Sequence, residues 1–75
     1  ISRREVLEVI ARILGISPGS AGTSVFSDLR KGDPSTKRMN ELRSRGILSG
    51  ESLRPESPAT VGEIMNYFDR AFWMK

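Results

Sequence analysis

The sequence predicts a small all-α protein, a three-helix helix–loop–helix bundle. Two segments begin with a hydroxyl residue, carry Glu three positions later, and continue with apolar residues spaced close to 3.6 apart. Between them lies a shorter helical stretch that follows a proline and stops at a glycine. No segment shows the strict apolar–polar alternation of a half-buried strand, and only the short stretch 22–28 has the character of extended chain.

The first helix is expected over residues ~2–14. Ser2 and Glu5 form a capping box, in which the hydroxyl takes one orphan backbone N–H and the carboxylate takes another. Val6, Leu7, Val9, Ile10, Ile13 and Leu14 supply one wide buried face, and Gly15 ends the helix. Residues 16–25, rich in Ser, Gly and Pro, form a connector without periodicity. The second helix is expected over ~34–45, with Pro34 in its first turn. Its inward face is thin, Met39 and Leu42 with the stem of Lys37 or Arg38, and Gly46 stops it before Ile47 and Leu48. Residues 49–59 form a second loop. The third helix starts at Thr60 with Glu63 as its capping partner and continues through Ile64, Met65, Tyr67, Phe68, Ala71, Phe72 and Trp73. Phe26, Tyr67, Phe68 and Phe72 are expected to pack in the core. Trp73, one step off the stripe, is expected against Ile16 or a neighbouring domain.

With 75 residues the chain is sized for one small domain with a modest core. It holds neither Cys nor His, which removes disulfides, thiolate metal sites and the commonest general base. No cofactor or metal is implied, and Asp28 and Asp33 lack the alternating oxygen ligands of a calcium loop. The net charge is +3, with Arg far outnumbering Lys, so an anionic partner is permitted, although the carboxylates are interspersed. No apolar run approaches the ~20 residues that span a bilayer, so no membrane insertion is expected. The start on a polar helix, without Met, predicts a piece of a longer protein and no signal peptide.

The two capped helices repeat each other. Ser2 falls on Thr60 and Glu5 on Glu63, 58 positions apart, and the same offset pairs Val6 with Ile64, Leu7 with Met65, Ile10 with Phe68 and Leu14 with Phe72. A supersecondary unit that recurs in this way buries its apolar face against its neighbours. Between the helices stand Phe26-x-Asp28, then a helix, then Gly46-Ile47-Leu48-x-Gly50, Leu53-Arg54-Pro55 and Thr60-x-x-Glu63. Asp28 is expected to accept backbone N–H bonds and to hold the loop entering the second helix. Gly46 and Gly50 supply positive φ, and Arg54-Pro55 stiffens the crossing to the third helix.

This order resembles the surface-layer-homology (SLH) repeat family. The resemblance covers residues ~26–73, and residues 1–16 look like the closing helix of a preceding repeat. It implies one SLH-like domain over 1–75: closing helix 1–16, loop 17–25 and repeat 26–75. It also implies a non-catalytic module that anchors a larger surface or secreted protein, outside the cell, to an acidic cell-wall polysaccharide. The family's Thr-Arg-Ala-Glu helix start matches Ser2-Arg3-Arg4-Glu5 in hydroxyl, Arg and Glu. The second copy has Val61 where the family has Arg, and Pro34 stands where the family commonly has Trp. The ligand-binding residues implied are Ser2, Arg3, Arg4, Glu5, Arg54, Thr60 and Glu63, because N–H groups at a helix start and Arg both suit carboxylates. Phe26, Asp28, Gly46, Gly50 and Pro55 are structural. Two other readings stand beside this one. One is a degenerate SLH-like module that docks on protein. The other is a basic helical nucleic-acid binder using Lys37, Arg38, Arg43 and Arg45, against which Glu41 lies on the same helix.

Overall fold

A computed structural model describes residues 1–20, 22–30 and 32–73; positions 21, 31, 74 and 75 of the expected loop and repeat lie outside these. The chain forms α1 (Arg3–Ile13), α2 (Thr36–Ser44) and α3 (Val61–Phe72), so the all-α class holds. Among the described residues there is no strand, only an isolated antiparallel bridge between Ser2 and Pro58.

Both capped helices start where their side chains dictate. Ser2 and Thr60 are extended, and each hydroxyl accepts the backbone N–H of its Glu partner, at 3.2 Å from Glu5 and 3.1 Å from Glu63. Each Glu carboxylate accepts in return from the cap N–H, at 3.0 Å and 2.9 Å. Gly15 turns α1 off at φ +77°, and Ile16 N–H then reaches back to Ala11 O at 2.9 Å.

The second helix begins later than the sequence suggests. Pro34 precedes α2 instead of forming its first turn, because Asp33 holds residues 33–36 in a turn of its own. Its carboxylate accepts Ser35 N–H at 2.8 Å, and its carbonyl accepts both the Thr36 N–H and the Thr36 hydroxyl.

Helix α1 is the centre of the fold. It packs against both α2 and α3, which do not pack on one another. Val6, Leu7, Ile10 and Ala11 of α1 meet Phe26, Leu29, Met39, Leu42, Ile47, Leu48 and Leu53 in the core. Arg38 ties α2 to α1, donating to Glu8 at 3.2 Å and to Ile16 O at 2.9 Å.

Helix α3 has no fully buried residue, although its apolar stripe is the stronger one in the sequence. Tyr67, Phe68 and Phe72, expected in the core, are only half-buried against it, and Met65 and Val61 face outward. Trp73 is 81% exposed and packs on neither Ile16 nor the core. The reason is geometric. The loops close over α1 and leave α3 a single contact side.

Candidate functional site

The segments 1–4 and 55–59 run side by side and bring the two repeated helix starts together. Ala59 N–H donates to Ile1 O at 2.9 Å, Arg3 N–H to Ser57 O at 2.9 Å, and Arg4 N–H to Pro55 O at 3.0 Å. The first three N–H groups of α1 are therefore all bonded, two to these carbonyls and the third, of Glu5, to the Ser2 hydroxyl. An anion site at a helix start depends on such groups being free.

The two arginines are also spent internally. Arg3 donates through Nε to Glu63 Oε2 at 2.7 Å, and its Nη2 reaches the same oxygen. Arg4 spans three partners, Asp33 through both terminal nitrogens at 2.8 and 3.1 Å, Ser35 Oγ at 2.9 Å and Glu56 at 2.8 Å. These bonds raise both guanidinium pKa values, chiefly through Glu63 for Arg3 and Asp33 for Arg4. Arg3 and Arg4 thus sit among four carboxylates, Glu5, Asp33, Glu56 and Glu63, with Arg30 also acting on Asp33 and the Ile1 amino group on Glu5.

Of the other implied ligand residues, Ser2, Glu5, Thr60 and Glu63 are engaged as caps. Arg54 has φ +53° and is exposed, with no ion pair among the described residues. Asp28 explains that conformation. Its carboxylate accepts Leu53 N–H at 2.9 Å, Arg54 N–H at 2.7 Å and the Ser52 hydroxyl at 3.2 Å. It therefore ties the loop entering α2, in which it lies, to the loop that leads to α3. Gly46 and Gly50 take φ +82° and +83°, as their turns require, and Pro55 is buried. Among the described residues no buried side-chain polar atom lacks a partner, and no group of acidic side chains is arranged to hold a metal.

Sequence reasoning missed Asp33, Ser35 and Glu56 as partners of Arg4. Asp33 was recognisable only as a turn residue ahead of Pro34, since a pairing across 29 positions leaves no periodic trace.

Glu5, Asp28, Asp33 and Glu63 all have lowered pKa values. The leading causes are the Ser2 backbone N–H for Glu5, the Arg4 guanidinium for Asp33, and the Thr60 backbone N–H followed by Arg3 for Glu63. For Asp28 burial acts upward and is outweighed by the Leu53 and Arg54 N–H groups. In acid the unfolded chain then binds more protons than the folded one, so stability is full above the ordinary carboxylate range and is lost as pH falls through the lowered values. Thermal melts are expected to show a Tm that is level above about pH 6 and falls steadily from about pH 4 downward. A Tm unchanged down to about pH 2 would show that these carboxylate bonds contribute nothing to the fold.

An open groove of about 180 Å³ is lined by Ile1, Val6, Val9, Ile64 and Phe68. It is smaller than the ~300–1,000 Å³ usual for small-molecule sites, and its walls are apolar. Ile13 of α1 and Val61 and Met65 of α3 are exposed as well. Among the described residues no helix is long and apolar enough to cross a membrane. No protein-family model matches the chain, and neither a curated protein nor a solved structure matches it.

Proposed function

We propose that this chain is a non-catalytic, SLH-like binding module whose partner is protein, so that it acts in assembly. The observation that supports this reading is the open apolar groove between α1 and α3, with further large apolar side chains exposed around the chain. A small chain that leaves Ile1, Val9, Ile13, Val61, Met65 and Trp73 exposed offers an area suited to a protein contact. The groups that an acidic saccharide needs at the α1 start are at the same time occupied by Glu63, Asp33, Glu56 and the carbonyls of residues 55 and 57.

Anchoring to an acidic cell-wall polysaccharide at the cell surface is the second reading. The SLH-like order of motifs favours it, and so does Arg54, held outward by a left-handed backbone with its charge uncompensated among the described residues. The nucleic-acid reading is weakened by the fate of its cations. Arg38 is paired with Glu8, Arg45 with Glu41, and Arg43 donates to Gly50 O, which leaves Lys37.

Co-sedimentation with purified acidic cell-wall polymer separates the first two. The native chain is expected to stay in solution. Its retention on the polymer would overturn the protein-docking reading. Loss of that retention in Arg3→Ala or Arg54→Ala would then say which arginine the saccharide holds.

A further inference from the structure

Asp33 and Pro34 form the one Asp–Pro peptide bond in the chain. An Asp carboxylate stands close enough to its own backbone carbonyl to attack it and close a succinic anhydride. Pro34 suits the leaving side. Its amide is tertiary, and its nitrogen takes up a proton more readily than an ordinary peptide nitrogen.

The fold adds two features to this chemistry. One is at the carbonyl. Asp33 O accepts the Thr36 N–H at 3.0 Å and the Thr36 hydroxyl at 2.6 Å, and Thr36 is fully buried. Negative charge develops on this oxygen as the carboxylate attacks, so both donors are already aimed at it from a site shielded from water. The other is at the carboxylate. Arg4 donates to Oδ1 at 2.8 Å and to Oδ2 at 3.1 Å, while Ser35 N–H donates to Oδ1 at 2.8 Å. Both oxygens are therefore bound to Arg4, which holds the nucleophile off its own carbonyl. Arg4 is fixed in turn by Glu56 at 2.8 Å and Ser35 Oγ at 2.9 Å.

The geometry points to a latent self-cleavage site at the Asp33–Pro34 bond, with Arg4 as its catch. Release of Arg4 leaves Oδ2 without a partner, and Ser35 N–H keeps the carboxylate on the Pro34 side. A carboxylate oxygen of Asp33 then bonds to the Asp33 carbonyl carbon. The C–N bond to Pro34 breaks, and a proton from solvent goes to the nitrogen of Pro34, an exposed residue. Water opens the anhydride, leaving Asp33 as a new C-terminus and Pro34 as a new N-terminus. One water is consumed, and nothing is oxidised or reduced. The cut falls between α1 and α2 and divides the core, with Leu7, Ile10 and Phe26 on one piece and Met39 and Leu42 on the other.

Incubation at about pH 4.5, close to the ordinary carboxylate range, with mass spectrometry of pieces 1–33 and 34–75, tests this. The reference is the native chain unfolded in urea, where neither Arg4 nor Thr36 is in place. The folded native chain is expected to be cut about tenfold more slowly than the reference, or less. Folded Arg4→Met is expected to be cut about tenfold faster than the reference, and adding Thr36→Val is expected to remove that gain. Arg4→Lys, which keeps a cation beside Asp33, takes the place of Arg4→Met if circular dichroism shows that Arg4→Met has lost its helices. Asp33→Asn is expected to stop the cut in every background. A folded native chain cut as fast as the reference would overturn the inference, since Arg4 then restrains nothing. So would an Arg4 variant that keeps its helices and is cut no faster than the reference, or a cut that survives Asp33→Asn.

Discussion

Phe26→Ala is expected to leave the chain unfolded at 25 °C. Phe26 is 1% exposed and is among the largest fully buried side chains, standing with Leu7, Ile10, Met39 and Leu42. Its loss removes a large apolar surface and opens a cavity, at a cost of about 3–5 kcal/mol. A chain of 75 residues without disulfides has a total stability of about the same size. The surroundings also collapse poorly, because Phe26 lies in a loop whose own bonds position it. Ser24 Oγ accepts Phe26 N–H and donates to Phe26 O, and Ser27 N–H is held by Glu51 O. The expected signature is loss of helical circular dichroism with no cooperative melt. A cooperative transition within a few degrees of the native Tm would contradict it.

The second expected result is a pair. Leu7→Ala is expected to cost about 2–5 kcal/mol, and Met65→Ala about 0.5 kcal/mol or less. The two positions are equivalent by the repeat and similar in side-chain volume, so sequence pattern alone assigns them the same cost. They differ in what covers them. Leu7 is enclosed by the loops and α2, and Met65 is open. Urea titration reads both as shifts of midpoint at constant slope. Equal shifts would show that α3 is buried in solution on the side that lies open in the fold described above.

This pair marks the boundary between local and tertiary information. The two capping boxes, the helix they start, and the glycines at 15, 46 and 50 were legible because each is a local device. A hydroxyl, a carboxylate three positions on, and a residue free to take positive φ act within one turn of chain. The apolar stripe of each helix was legible for the same reason. The start of α2 was misplaced because a local competitor, the Asp33 turn, overrides the preference of Pro34 for a first helical turn.

The partners of charged side chains were not legible. Arg3 meets Glu63 across 60 positions, Arg4 meets Asp33 across 29, and Arg38 meets Glu8 across 30. In sequence all three arginines look like solvated charges or ligand groups. Folding brings each to a carboxylate, and a guanidinium so held is no longer free for a saccharide or a phosphate. Asp28 follows the same rule. Its type and its place after Phe26 marked it as a backbone acceptor, but only the return of the chain decided that residues 52–54 would be what it holds.

The sequence by itself determined the helices, their starts and stops, and the apolar face of each, since these depend on interactions within a few residues. Which edge of each face is buried, and which arginine is left to meet a partner, was decided only in the tertiary structure. Burial and ion pairing depend on which distant groups fill the space beside a side chain, and two like helices in one chain have different neighbours. Hence α1, carrying the better match to an anion-binding helix start, became the bonded centre of the fold, and α3, with the stronger apolar stripe, was left with an open edge.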